Sequence, residues 1–323
     1  MSYQTRSVVG KLFGFFVAFM AAGAAVGVSS APALASTLTV AQVANLPKAE
    51  NAIQTSNGRN FVSTDGKLFE LRESSNGNWS ASAVPTRYTR SGQSACYFTG
   101  LAEYAATLYA LCADNTLLAS APKHLLALDL NQASPTLQEI AVLHDFGFPN
   151  GLAADGAGHL YYANTALLLP GSVWRITLAS RFAVAEEKEF YSFPLCVGNG
   201  LKFFRNQLYV GVNPPTFVGL SQLLRYDVNA SGLANKTVIY QSLGIIDDFE
   251  LVQGGVVLAE YLGSRIVHLS ESGQVLHTAS FSAPTSVHLI SDPVRGQREL
   301  LVTEAGANRA SLVQTDWNLA PRQ

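Results

Sequence analysis

The chain has 323 residues, of which 48% are hydrophobic and 14% are charged, and its formal net charge at pH 7 is −2. This length accommodates one large β domain or two domains of average size, with ample apolar material for a core. The near-neutral charge and the lack of a basic stripe in the sequence exclude nucleic acid and other polyanions as expected partners.

The first 35 residues have the features of a secretory signal peptide. Arg6 and Lys11 precede an apolar run, and the small residues Ala33 and Ala35 mark a cleavage site after Ala35. The run is at the short end for a membrane-spanning helix, and an uncleaved anchor is the open alternative. The sequence therefore predicts a mature domain at 36–323. We expect it to be exported to a periplasm or the extracellular space, and to be free of the membrane once the signal is removed.

Three cysteines, Cys96, Cys112 and Cys196, bear on the compartment. In an exported protein one pair can be oxidised, and Cys96 with Cys112 is the favoured pair because the two are close in sequence. Three buried and unpaired cysteines are the alternative. No CxxC or HExxH motif occurs, so the sequence gives no support for a zinc or redox centre.

A repeat of about 50 residues runs through the rest of the chain. Each unit opens at a polar residue, continues as a short alternating strand, turns, and enters a second apolar strand such as "HLYYAN" or "QLYVGV". The six openings, in chain order, are Glu50, Thr99, Asn150, Asn199, Asp247 and Thr285. A period of this size with several strands per unit is typical of a β-propeller.

The sequence therefore predicts an all-β fold, a single six-bladed β-propeller. Further alternating strands such as "KHLLALDL" and "SQLLRYDV" follow in each unit, and no helical stripe is found after the leader. The segment "STLTVAQVANL" is expected to supply the outer strand that closes the last blade. A pair of β-sandwiches is the alternative fold, but it has no reason to repeat at about 50 residues.

The six openings are expected to converge at one mouth of the central channel, because the innermost strand of each blade runs along that channel. They offer carboxylate, amide and hydroxyl oxygens, which are the ligands that calcium prefers, whereas zinc and copper favour His and Cys. Each residue type also commonly opens strands or caps turns, which is the structural alternative. We predict a site for Ca²⁺ or another divalent cation formed by Glu50, Asn150, Asn199 and Asp247.

At these positions the sequence resembles the gluconolactonase, regucalcin and luciferin-regenerating-enzyme family of six-bladed propellers, and more distantly the paraoxonases and strictosidine synthase. The resemblance covers nearly the whole mature chain through the motifs "AENA", "FPNGL", "GNGL" and "IDDF". In that family a Glu, two Asn and an Asp from the first, third, fourth and fifth blades bind one catalytic metal. This implies the same role for Glu50, Asn150, Asn199 and Asp247. Phe148 stands where the family often has an Arg, a departure from its sugar-lactone pattern.

Metal-dependent hydrolysis of a lactone or ester follows from this chemistry. The cation would polarise the carbonyl, and a carboxylate would take a proton from the attacking water. Asp247 and Asp248 are the candidate bases, and Asp248 on its own is also expected to be an exposed loop acid. Apolar loops at 146–149, 165–171 and 213–217 favour an apolar small-molecule substrate.

Two other functions are open. A non-catalytic propeller could bind a ligand or a protein on its face, because fold does not fix function. A condensing enzyme similar to strictosidine synthase would need a catalytic glutamate in a later blade, such as Glu260 or Glu304. The sequence has no G-x-S-x-G elbow, phosphate loop or dinucleotide fingerprint, which argues against serine-hydrolase and nucleotide-dependent chemistry.

Overall fold

The structure is a computed structural model, and it describes residues 38–88, 96–114, 120–144, 147–165, 170–194, 196–216, 219–291 and 298–322. Within those ranges no helix is long and apolar enough to cross a membrane. The predicted signal peptide lies outside the described residues, so the boundary at residue 35 stays a prediction.

The described residues form 25 strands in six sheets. The strands of the first half of the chain are β1 Leu38–Asn45, β2 Ala52–Gln54, β3 Asn60–Ser63, β4 Leu68–Glu73, β5 Trp79–Ala83, β6 Thr86–Arg87, β7 Tyr97–Tyr104, β8 Thr107–Ala113, β9 Lys123–Asp129, β10 Leu137–Leu143, β11 Phe148–Ala154, β12 His159–Thr165, β13 Gly171–Ser180 and β14 Ala183–Phe193. Those of the second half are β15 Val197–Phe204, β16 Gln207–Asn213, β17 Ser221–Asn229, β18 Gly232–Ser242, β19 Ile246–Val252, β20 Gly255–Glu260, β21 Arg265–Ser270, β22 Val275–Ser280, β23 Pro284–Ser291, β24 Arg298–Glu304 and β25 Arg309–Thr315.

Each sheet is one blade, and the blades confirm the predicted all-β, six-bladed propeller. Blades 1 to 5 are β2–β5, β7–β10, β11–β14, β15–β18 and β19–β22, and β6 adds a short parallel edge to blade 2. Blade 6 is β23–β25 completed by β1. The first strand of each blade contacts the first strands of its neighbours, so β2, β7, β11, β15, β19 and β23 surround the axis.

The last blade is closed by the first strand of the chain, as predicted. β1 pairs antiparallel with β25, with Leu38 opposite Thr315 and Asn45 opposite Arg309. The two ends of the propeller are thus joined through a β ladder. This pairing covers what would otherwise be a hydrogen-bonding edge at the last blade.

The hydrophobic core is divided into six clusters, and each cluster lies between two neighbouring blades. Phe61 of blade 1 packs with Phe98 of blade 2, and Tyr209 of blade 4 packs with Phe249 of blade 5. These side chains come from the alternating strands, whose apolar positions face the adjacent sheet. Blade-to-blade packing is therefore the main source of burial in this fold.

The innermost strands contain an irregularity at the repeat openings. Three steps along β11, from Pro149 to Leu152, oppose only two steps along β12, which is the geometry of a β-bulge. The pairing register of β7, β15, β19 and β23 shifts at the equivalent place. The bulges let neighbouring inner strands approach closely, since a β-carbon at Gly151 would lie 2.4 Å from the carbonyl oxygen of Asn199.

Side chains near this end of the axis also join each blade to the next. In every case a hydroxyl or amide group of one blade donates to an oxygen of its neighbour. The six bonds are Ser63 Oγ to Thr99 O, Thr99 Oγ1 to Pro149 O, Thr165 Oγ1 to Gly198 O, Asn213 Nδ2 to Ile246 O, Ser286 Oγ to Asp248 Oδ2 and Thr285 Oγ1 to Ala49 O, at 2.6–2.9 Å. Together they link all six blades in a circle.

The cysteines follow the favoured prediction. Cys96 and Cys112 form a disulfide within blade 2, with their Cα atoms 5.7 Å apart, and Cys196 is a free thiol. The disulfide joins the residue before the innermost strand β7 to the adjacent strand β8. It therefore covalently fixes one of the strands that carry the repeat openings.

Replacing Gly151 with Ala should strongly destabilise the propeller. The new methyl group would meet backbone atoms of the next blade, which cannot move without disturbing its bulge, so we expect the free energy of unfolding to fall by about 3 kcal/mol. Urea denaturation measures this change. Gly254→Asn is the control, because that position is open and has a positive φ that Asn tolerates. Equal stability of the two variants would contradict the close-approach argument.

The thiol content of the unfolded, unreduced protein provides a second check. We expect one reactive thiol per chain before reduction and three after it. Titration with a thiol reagent in denaturant measures both values. Three thiols before reduction, in protein prepared under oxidising conditions, would show that Cys96 and Cys112 are not paired.

Candidate functional site

The candidate site lies at the end of the propeller axis where the six repeat openings meet. Five of these residues lie in the bulges of the innermost strands, and Glu50 lies just before β2. Asp247 is half-buried and the other five are buried. We call Glu50, Thr99, Asn150, Asn199, Asp247 and Thr285 the mouth ring.

The two threonines of the mouth ring serve the fold. Thr99 donates its hydroxyl to the carbonyl of Pro149, and Thr285 donates its hydroxyl to the carbonyl of Ala49. Both side chains therefore join blades. This leaves two carboxylates and two amides of the ring as the groups available for chemistry.

Glu50 is bound by a tyrosine from the next blade. The hydroxyl of Tyr97 donates to Glu50 Oε2 at 3.1 Å. Burial raises the pKa of Glu50 to about 7; the hydrogen bond from Tyr97 opposes this shift and the negative charge of Asp248 adds to it. Burial and the charge of Glu50 also raise the pKa of Tyr97, so its hydroxyl keeps its proton and remains a donor.

Asn199 and Asp247 are in direct contact. Asn199 Nδ2 donates to Asp247 Oδ1 at 2.7 Å. Burial raises the pKa of Asp247 well above its ordinary value; the charges of Glu50 and Asp248 add to the shift, and the hydrogen bond from Asn199 opposes it. The structure thus brings Asn199, Asp247 and Glu50 into mutual reach, and Asn150 holds the equivalent bulge position of the neighbouring blade.

Asp248 is buried, so the expectation that it is an exposed loop acid is wrong. Its side chain is only 4% exposed and forms a salt bridge with Lys202 of blade 4, whose Nζ lies 3.1 Å from Oδ1. Ser286 of blade 6 donates to the other oxygen, Oδ2, at 2.9 Å. Both carboxylate oxygens are therefore bound by neighbouring blades, and the residue fixes the bulge that carries Asp247.

A second ion pair lies further along the same inner strands. His288 Nδ1 is 2.5 Å from Glu250 Oε2. Burial would raise the pKa of Glu250, but His288 and Lys202 outweigh burial and hold that pKa below its ordinary range. Likewise, burial would lower the pKa of Lys202, and Asp248 with Glu250 raises it instead. The positive charge of Lys202 is thus committed to Asp248 and Glu250.

The donor set of the mouth ring suits a hard divalent cation. The carbonyl oxygen of Asn199, Oδ1, is buried and has no hydrogen-bond partner among the described residues, an arrangement that costs free energy unless a ligand binds it. Carboxylate and amide oxygens together match the preference of calcium. The described part of the chain places no group of three or more His, Cys, Asp and Glu suitably for a metal, so a site here depends on the two asparagines.

The glutamates that a condensing enzyme would need have structural roles. Glu260 and Glu304 are fully buried, and each accepts a hydrogen bond from an arginine five residues later, Arg265 and Arg309, at 2.5 Å. Each pair closes the turn between the second and third strands of its blade. Neither carboxylate is free to act on a substrate.

The predicted apolar loops are only partly described. Residues 145–146, 166–169 and 217–218 lie outside the described ranges. Phe148 packs against Tyr97 with the ring centroids 5.7 Å apart. An apolar aromatic pair thus stands beside Glu50.

Three residues near the site were not found by sequence reasoning. Tyr97 lies two positions before the repeat opening Thr99, and Lys202 lies three positions after the opening Asn199. Their closeness to these openings in the sequence could have indicated that they lie near the site. Tyr261 follows β20; burial raises its pKa, and the charges of Asp247 and Glu50 add to the shift. No motif singles out this tyrosine.

No protein-family model matches the sequence, and no curated protein matches it. Solved structures do share its fold. A gluconolactonase from Xanthomonas campestris has a TM-score of 0.63 at 14% identity, over 85% of this chain and 89% of that one. A PQQ-bound aldose sugar dehydrogenase from Streptomyces coelicolor has a TM-score of 0.55 at 13% identity, over 88% and 100%.

A nutrient-binding protein from Bacteroides thetaiotaomicron is also similar, with a TM-score of 0.60 at 11% identity, over 87% of this chain and 77% of that one. Proteins with quite different names therefore share this six-bladed architecture. At such low identities the similarity establishes the fold. The function has to be argued from the side chains of the site.

The raised pKa of Glu50 gives a test in metal-free protein. Between its ordinary value of 4.5 and about 7 the folded chain binds more protons than the unfolded chain, so this group makes stability fall as pH rises through that window. Between pH 5 and pH 8 the free energy of unfolding of the native protein should fall. For the Glu50→Gln variant we expect that fall to be smaller by about 2 kcal/mol. Denaturant unfolding with a chelator present measures both slopes.

Glu186→Gln is the control for this experiment, because that side chain is 52% exposed and lies outside the ring. It should keep the native slope. Identical pH dependence in the native protein and Glu50→Gln would contradict the assigned burial of Glu50.

Proposed function

We propose that this protein is a metal-dependent hydrolase of apolar lactones or esters, with calcium or another divalent cation bound in the mouth ring. One observation carries the proposal. The carboxylates of buried Glu50 and half-buried Asp247 repel one another beside a buried, unpartnered amide oxygen of Asn199. A divalent cation would remove that repulsion and satisfy the amide oxygen.

Glu50, Asn150, Asn199 and Asp247 would hold the ion. When bound, it would polarise the scissile carbonyl and stabilise the negative charge that develops on its oxygen. Tyr97 would orient Glu50 through the hydrogen bond to Oε2. Two carboxylates balance the charge of a divalent cation, which agrees with the neutral surroundings that an apolar substrate needs.

Asp247 is the better of the two predicted bases. Both oxygens of Asp248 are bound by Lys202 and Ser286, so that carboxylate has little capacity to accept a proton. Asp247 lies at the mouth and is the more exposed of the two acids, so an attacking water can reach it and pass a proton to it. The hydrogen bond from Asn199 would hold its carboxylate in one orientation. Asp248 then acts by fixing the strand that carries Asp247.

The similarity to a gluconolactonase adds support for hydrolysis of a cyclic ester, because that protein has this fold over most of both chains. The substrate is expected to differ from a sugar lactone. Phe148 and Tyr97 form an apolar aromatic pair next to the ring, where a polyol would need polar partners.

We also propose that the mature protein is exported to a periplasm or the extracellular space. The predicted leader over the first 35 residues is one support. The disulfide between Cys96 and Cys112 is the other, because such bonds persist mainly in oxidising compartments.

The deciding experiment is pH-stat hydrolysis of a panel of lactones and aryl esters by residues 36–323, with and without chelator. We expect turnover to be lost on chelation and restored by calcium. Asp247→Ala should reduce kcat at least 100-fold even in saturating calcium, as loss of a general base does. Asp248→Asn should reduce kcat by a smaller factor, because Asp248 acts only by fixing the strand that carries Asp247.

Metal binding is measured separately, by calorimetry with calcium and by terbium luminescence sensitised by Tyr97. Glu50→Gln and Asp247→Asn should each weaken binding at least tenfold, and the exposed control Glu186→Gln should leave it unchanged. Turnover that survives chelation would contradict the proposed mechanism. Tight metal binding without turnover of any panel member would instead favour the non-catalytic, ligand-binding propeller.

A further inference from the structure

Three leucines stand out among the large hydrophobic side chains of the described residues. Leu243, Leu220 and Leu262 are 70%, 51% and 49% exposed, and these are the three highest values in that set. Exposed apolar side chains scattered singly need no explanation, whereas a cluster beside a functional site indicates a ligand surface. Their places in the fold put all three at one end of two neighbouring blades.

All three lie at the mouth end of blades 4 and 5. Leu220 and Leu243 directly flank the pair Ser221 and Ser242, which ends the ladder between β17 and β18. The two leucines are thus the next residues outward on neighbouring strands. Their positions therefore place the two leucines at the same end of neighbouring strands.

Leu262 is joined to the same surface through a buried glutamate. β-carbons at Gly244 and Gly263, the residues after Leu243 and Leu262, would lie 3.0 and 2.7 Å from Glu260 Oε2. Two loops therefore pack on one side chain, and in each loop an exposed leucine precedes the packed glycine. We call Leu220, Leu243 and Leu262 the leucine patch.

The patch adjoins the mouth ring. Leu243 is four residues before Asp247, and the pair of Ile246 with Glu260 ties that strand to the turn that carries Leu262. The amide of Tyr261 donates to the carbonyl of Ile245 at 2.8 Å. Tyr261, the residue before Leu262, is close enough to Asp247 and Glu50 for their charges to act on its phenol.

The two segments that carry Leu243 and Leu262 are uncharged. Residues 242–246 and 261–264 contain no acidic or basic side chain. Glu260 is fully buried and is bound by Arg265 and Tyr240, so its charge is compensated within the fold. Exposed leucines in uncharged segments favour contact with hydrocarbon over contact with a phosphate.

We propose that the leucine patch binds the hydrocarbon tail of the substrate, which makes the substrate class alkyl-substituted lactones or esters whose tail lies over blades 4 and 5. This inference rests on the proposed function, in which the carbonyl group of the same substrate is hydrolysed at the mouth ring. Transfer of a methylene group from water to an apolar site contributes up to about 0.8 kcal/mol, or about fourfold in affinity. On an open patch that covers one side of the chain, we expect about twofold per methylene.

The test uses γ-lactones with alkyl substituents of one to eight carbons and the matching γ-lactams, which resist hydrolysis. For the native protein, kcat/KM for the lactones and the affinity for the lactams should both rise about twofold per methylene. The double variant Leu243→Ser/Leu262→Ser should flatten both series and should leave kcat/KM for the shortest lactone within about twofold. Leu276→Ser is the matched control, because it lies on β22 of blade 5 near the opposite end and is 37% exposed.

A native protein that shows no dependence on chain length, or a double variant that keeps the native slope, would overturn the inference and leave the proposed function standing. If no lactone is hydrolysed, the proposed function fails, and lactam binding measured by calorimetry still decides the role of the patch. A second copy of the chain could also occupy the patch, and sedimentation of the native protein and the double variant tests for this. Loss of a dimer in the variant would assign the patch to self-association and overturn the inference.

Discussion

The feature on which the rest of this molecule depends is the close approach of six strands around one axis. A β-carbon at Gly151 would almost touch the next blade, so these strands pair regularly only up to the point of closest approach and then bulge. The bulge frees a residue from the ladder. The geometry that closes the circle therefore also places Asn150, Asn199 and Asp247 in equivalent bulges of neighbouring blades.

This crowding has an electrostatic result. Six strands that converge must bring their polar opening residues together. The resulting burial of polar and charged groups is compensated in different ways at different depths along the axis. Thr99 and Thr285 donate hydrogen bonds to neighbouring blades, and the positive charge of Lys202 compensates the negative charge of Asp248 below the ring. Glu50 and Asp247 remain with raised pKa values and no cation beside them among the described residues. Acids perturbed in this way are concentrated at functional sites, which is why these two are the candidates for chemistry.

The architecture could be predicted because the same pattern of a polar opening and short strands occurs six times. A repeat of about 50 residues can be recognised even where one unit is unclear. The same frame placed Glu50, Asn150, Asn199 and Asp247 in equivalent positions. Side-chain pairing across blades was not predictable. Lys202 and Asp248 come from different repeats, and nothing in "DDF" distinguishes the acid that faces the mouth from the one that is buried. That distinction arises from the alternation of side chains through a bulge, which depends on atomic geometry.

The pairing of β1 with β25 has a consequence for how the molecule forms. The first strand of the domain finds its partner only after the last has been made, so nearly the whole chain must be in place before the circle closes. Closing so long a loop is slow, and until then blade 6 presents an open edge and an uncovered apolar cluster. Such an edge accepts the equivalent strand of another chain through the same contacts. Concentrated refolding will therefore favour strand-exchanged dimers, and dilution will favour the closed ring.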